Sequence, residues 1–222
     1  MTYDDSDYAL EEYYQDLYES ELVDTAMREA SEDNVRQYLC THGDAVEKRA
    51  RCLLDDAVKL SADGFHGAAL TLATISSEVV IRYLLLRPLV QGAFLDDVWA
   101  GVLTKQVLGG RSADERSLLP RVLKAWGVEI TSVRMSSGEM LWESFRGVVW
   151  ETRNSFIHRG EPVEAAHAGL AIECSEELLG VAREVGRKFG CGPYVTGLWA
   201  EARLSDGPLP AHQSFTPASP FE

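Results

Sequence analysis

The chain has 222 residues, 45 % hydrophobic and 25 % charged, which is ordinary for a globular protein long enough to bury one medium-sized core. Its 35 Asp and Glu against 21 Lys and Arg give a net charge of −14. That argues against broad binding to duplex DNA or anionic lipid, which rests on neutralising phosphates with Lys and Arg. The excess is local, however. Residues 1–33 carry 12 acids and the single base Arg28, so the rest of the chain is near neutral and can still hold a basic cleft.

The first 20 residues are acidic and polar, the opposite of a basic and then apolar leader, so a cytoplasmic protein is expected. Residues 8–23 predict a short acidic helix, and five of the eight tyrosines fall at positions 3, 8, 13, 14 and 18. This acidic arm (1–33) reads as a solvated helix. A sharper reading makes it a polyanion mimic that covers a basic site elsewhere in the chain.

Asp33 or Asn34 is expected to cap a second helix to about Leu60, with Val35, Leu39, Val46, Ala50, Leu53, Leu54, Ala57 and Leu60 facing inward. Asp63-Gly64 breaks it. A third helix follows from Phe65 to Arg87, stopped by Pro88, with apolar residues around most of its circumference. Glu78, Arg82 and Arg87 interrupt it, so it reads as the central helix of a bundle and not as a membrane span.

Residues 92–138 read as an insertion of shorter pieces: helices near 94–108 and 113–126 around Gly109-Gly110, then a brief strand or extended connection at Val128–Thr131 and a loop at Ser136-Ser137-Gly138. A strong helix from Glu139 to about His158 has Leu141, Phe145, Val148, Val149, Thr152 and Phe156 inward and ends at Gly160 and Pro162. A last helix, about Glu164 to Lys188, precedes a Pro-rich irregular tail at 204–222. The expected fold class is therefore all-α, an antiparallel helical bundle over 34–203.

No P-loop, dinucleotide fingerprint or H-E-x-x-H is present, and no cofactor or metal is expected. Cys40, Cys52, Cys174 and Cys191 are widely spaced, as reduced thiols would be. Asp55-Asp56 and Asp96-Asp97 are adjacent helical positions that point to different faces, the pattern of solvated surface.

The informative segment is Trp150–Gly160. It sets Arg153, Asn154, His158 and Arg159 at the end of an amphipathic helix just before a Gly/Pro break, with Arg146 two turns back from Arg153. Asn154 and His158 are i and i+4, so the amide is placed to hold the ring, whereas Arg153 lies about 140° round the helix from His158. A guanidinium and an imidazole together suit transesterification of an RNA phosphodiester by its own 2′-hydroxyl, without a metal. His158 can equally be a helix-end cation that complements the macrodipole, and Arg183, Arg187 and Lys188 form a second helix-end cluster.

The run Arg153-Asn154-x-x-x-His158 on the second-last helix, followed by Gly160, resembles the R-x4–6-H motif of HEPN domains. These are four- to five-helix bundles, often dimers with facing motifs, and many are endoribonucleases of toxin–antitoxin, abortive-infection and CRISPR-associated systems. The resemblance covers about 35–90 and 139–190. It implies an HEPN-like bundle that cleaves an RNA substrate in antiviral defence or under an antitoxin, as a homodimer with no membrane partner. Arg153 and His158 would then be catalytic, with Asn154 orienting or binding phosphate. Arg159 and Arg146 would contact RNA, and Glu78 and Arg82 would be a supporting charged pair. The family also includes non-catalytic adaptors that bind a nucleotide or protein. One subfamily carries a Tyr two residues after the His where this chain has Gly160. A second match, Arg36 to His42, lacks the following Asn and falls inside a predicted helix.

Overall fold

A computed structural model describes residues 5–92, 112–193 and 199–201. Among them α1 spans Asp5–Ala62, α2 His66–Gly92 and α3 Ser112–Ala125. Helix α4 covers 141–159, α5 is Ala165–Lys188, and a short ribbon pairs β1 (Cys191–Pro193) with β2 (Trp199–Glu201). The chain is thus predominantly helical, as its periodicity predicts. The helix expected near 94–108 and the irregular tail lie outside the described residues.

The helix predicted at 8–23 and the one predicted from Asp33 are a single 58-residue helix. No Gly or Pro occurs between residues 5 and 42, so nothing interrupts the backbone ladder. Asp33 pairs with Arg36 at 2.7 Å along the helix and does not cap it. No structural break therefore marks the expected boundary of the acidic arm.

Gly64, at φ 84°, ends the turn after α1, and Phe65 N–H donates back to Leu60 O at 2.8 Å. Helix α2 returns antiparallel, fixed at mid-length by Ser76 Oγ donating to Ala50 O at 2.8 Å. Ser175 Oγ of α5 donates to Ser76 Oγ at 2.9 Å, so all three helices meet at one buried hydroxyl. Arg183 of α5 bonds Glu47, and Arg36 Nε donates to Phe189 O at 2.9 Å, so α5 descends α1 as its own numbering rises. Phe156 of α4 lies over Gly67, which leaves no room there for a side chain. These contacts make α1, α2, α4 and α5 an antiparallel bundle.

Pro88 does not stop α2. The turn Ile81–Leu86 is a π-helix, in which Arg87 N–H bonds Arg82 O five residues back. The wide turn absorbs the ring, and the helix continues to Gly92. Helix α2 is long and apolar enough to cross a membrane, but 67 % of its apolar window is buried within the bundle, as a central helix requires.

A second wide turn, Ser144–Val149, lies inside α4. It explains one misplaced core residue: Val148, expected inward, is 40 % exposed, whereas Leu141, Phe145 and Val149 are buried. Most of the inner stripe predicted for 35–60 is buried, with Leu53 and Leu60 only partly so. Val128–Thr131 is not a strand; its end coils into a 3₁₀ turn at Ile130–Ser132. Glu173 of α5 then pins the following loop through Ser137 N–H at 2.8 Å.

The ribbon was not foreseen. Its Trp199 is 3 % exposed and fills a slot between Gly43 of α1 and Gly186 of α5, where a Cβ on either glycine would overlap the indole. Trp199 Nε1–H donates to Glu47 Oε2 at 2.8 Å, and its backbone N–H donates to Asp44.

Candidate functional site

Helix α4 ends at Gly160, whose φ of 68° allows Gly160 N–H to bond Phe156 O and Glu161 N–H to approach Ser155 O. This cap fixes the last turn, and with it His158 and Arg159, both exposed. Because Phe156 packs on Gly67, the turn sits at the end of the bundle where α1 gives way to α2.

Arg153, one turn earlier, is half-buried. Its guanidinium lies over the Trp150 ring, 5.5 Å from the centroid, and Nη1 donates to Asn154 Oδ1 at 3.1 Å. Its Nε–H is buried and lacks a hydrogen-bond partner, and no carboxylate pairs with it among the described residues. Asn154 therefore holds the guanidinium and not the His158 ring, which makes no hydrogen bond among the described residues. The expected Asn154–His158 pair is replaced by an Asn154–Arg153 pair.

Arg159 is less available. Its Nη2 donates to Ser155 Oγ, and its Nε pairs with Glu161 at 3.0 Å. Arg146 is exposed and lies within the wide turn, whose residues per turn differ from those of the α-helix assumed for its alignment with Arg153.

Glu78 and Arg82 do not flank Arg153. Glu78 is eleven residues beyond Gly67 on α2, and Arg153 is three residues before Phe156 on the antiparallel α4. Helical rise puts the two levels ~12 Å apart along the bundle, with Glu78 nearer the level of Arg146. Both side chains are half-buried and have polar or electrostatic partners.

The acidic arm is also remote. Gly92, the far end of α2, packs on Ser31 and Val35, so residues 5–30 continue α1 past that end. From Asp33 to Ala62 the helix covers ~43 Å. An arm that covers the Arg153 and Arg159 region of its own chain does not fit a continuous α1.

The other charged clusters have structural employment. Arg36, of the second spacing match, bridges Asp33 and the carbonyl end of α5. Lys188 donates to Trp126 O at 2.6 Å and Gly127 O at 3.2 Å, and Arg187 pairs with Glu184 at 2.8 Å. Arg183 and Arg51 both bond the buried Glu47, beside a cavity of about 390 Å³ lined by Asp44, Lys48, Cys52 and Asp55. His42 stacks at 4.7 Å on Tyr38, and burial followed by the Arg87 charge keeps its pKa below the usual value.

Among the described residues no disulfide joins the cysteines, and no cluster of three metal-ligating side chains occurs. Two site residues escaped sequence reasoning. Trp150 has no role in the sequence reading, although its spacing of three from Arg153 is itself the signal. Glu47 had no signal, because two of its partners, Arg183 and Trp199, lie more than 130 residues away. Compared with family models, curated proteins and solved structures, the chain gives no match.

Proposed function

We propose that the chain is a metal-independent endoribonuclease with an HEPN-like bundle, in which Arg153 and His158 do the chemistry and Asn154 orients Arg153. One observation carries this reading. Arg153 is half-buried, five residues before an exposed His158 on the same helix, and among the described residues it is held by an indole face and an amide and by no carboxylate. Its charge is thus left for an anion from outside the chain.

In the reaction the RNA 2′-oxygen attacks the adjacent phosphorus while the bond to the 5′-oxygen breaks, leaving a 2′,3′-cyclic phosphate and a 5′-hydroxyl. His158 moves a proton at one of these oxygens, and Arg153 stabilises charge on the non-bridging oxygens. In-line displacement needs groups on both sides of phosphorus, which a two-fold homodimer supplies as two copies of His158. The setting that fits is bacterial defence or a toxin–antitoxin pair in the cytoplasm, with an antitoxin as regulator. The test is RNA cleavage in EDTA. Wild-type protein should leave cyclic-phosphate ends and His158→Ala should leave RNA intact; intact RNA with the wild-type dimer sinks the reading.

A second reading, a non-catalytic dimeric adaptor that binds a nucleotide or protein, is favoured by the state of the last turn. Arg159 is paired with Glu161, and no hydrogen bond orients His158 among the described residues. This reading expects nucleotide or partner binding that survives His158→Ala.

A further inference from the structure

We propose that Trp150 is a positioning residue for Arg153, holding the guanidinium by its ring face so that the charge is fixed in place without being neutralised. The contrast with five other arginines carries the inference. Arg36, Arg51, Arg159, Arg183 and Arg187 each pair with a carboxylate. Arg153 instead lies 5.5 Å from the Trp150 centroid and donates only to a neutral amide. A ring quadrupole attracts a cation without cancelling its net charge, whereas a carboxylate would cancel most of it. The buried Nε–H has no acceptor, so packing against the indole, and not hydrogen bonding, fixes that edge of the group.

The indole is itself held. Trp150 is 7 % exposed, and Phe145 meets it edge-on at 6.3 Å between centroids. Phe145 in turn packs on Trp142 at 5.9 Å. Trp142 lies on the far side of the wide turn from Arg153, and Phe145 lies inside the turn, fully buried. A rigid aromatic series therefore runs from the core of the bundle to the cation. Arg153 is placed by the packing of α4 and not by a surface ion pair that salt or pH could release.

The inference uses the proposed site, but its test does not need RNA cleavage. The probe is inorganic phosphate, titrated into wild-type protein, Trp150→Leu and Trp150→Phe while the Arg153 Nε–H resonance is followed by NMR and the thermal midpoint is recorded. In wild-type protein the resonance should be displaced by the indole ring and should move as phosphate binds. Trp150→Leu should abolish the ring displacement and weaken phosphate binding about tenfold, while Trp150→Phe should recover most of both. An unchanged resonance or affinity in Trp150→Leu overturns the proposal. So does a phenylalanine variant as poor as the leucine one, which would mark Trp150 as merely structural, or a wild-type Arg153 that ignores phosphate. RNA left intact by a protein that passes these tests would remove the ribonuclease reading and leave the positioning role standing.

Discussion

The Arg153 guanidinium donates to the Asn154 amide oxygen at 3.1 Å, and the two are sequence neighbours. Adjacent helical positions rarely face one another, so the bond requires Arg153 to fold back along the helix toward Trp150. Asn154→Ala should lower RNA cleavage by about 10- to 100-fold, the usual cost of a misplaced catalytic group, with the thermal midpoint unchanged. Single-turnover rates at saturating RNA check this. A rate within twofold of wild type would show that the ring of Trp150 suffices.

Glu47 is the electrostatic pin of the bundle. Burial pushes its carboxyl up, but hydrogen bonds from Arg183, Arg51 and Trp199 outweigh that and hold it below its ordinary value of 4.5. A carboxyl with a lowered folded pKa stabilises fully above its unfolded value, and the contribution is lost as pH falls through the folded value. Glu47→Gln should cost ~2–4 kcal/mol at pH 7, and the gap to wild type should narrow below about pH 4.5. Urea unfolding at both pH values tests the sign; a gap that widens in acid would refute it.

The Trp199 slot is steric. A methyl group added at Gly186 meets the indole and the Cys191 carbonyl, and α5 cannot retreat without opening the core at Val185. Gly186→Ala should therefore destabilise by ~1–3 kcal/mol, against the small gain that alanine gives in an open helix. The paired change Gly186→Ala with Trp199→Leu should recover part of that loss. Chemical denaturation of the two variants measures the coupling.

Removal of residues 1–33 should leave the rate of RNA cleavage within about twofold of wild type, because ~43 Å of helix separates Asp33 from the end of the bundle that holds His158. A large activation would mean that the arm reaches the site from another copy of the chain.

Much of this architecture is legible in the sequence, for identifiable reasons. Val35, Leu39, Val46, Ala50 and Leu54 repeat at helical spacing because one face of α1 meets α2 and α5. Gly64 and Gly160 mark two helix ends because each takes a positive φ. Two of the errors have one common source. Pro88 inside a continuous helix and Val148 turned outward both follow from wide turns, which residue types do not announce. The motif spacing located Arg153 and His158 on one helix end, but not the partner of Asn154. That choice depends on the indole three residues away. Glu47 stayed invisible because it joins three segments that only the tertiary fold brings together.

The wide turn at Ser144–Val149 also means that the aim of Arg153 depends on how many residues precede it, not only on which ones. A single insertion beside the turn would add a residue that the turn, which already holds one extra, does not absorb. The segment from Trp150 onward would then swing by ~100° against the anchored Leu141 and Trp142. Every residue of the motif would survive such a change with its spacing intact, yet the guanidinium would leave its place. In this chain a one-residue insertion is a more severe lesion than most substitutions, and a motif search would pass over it.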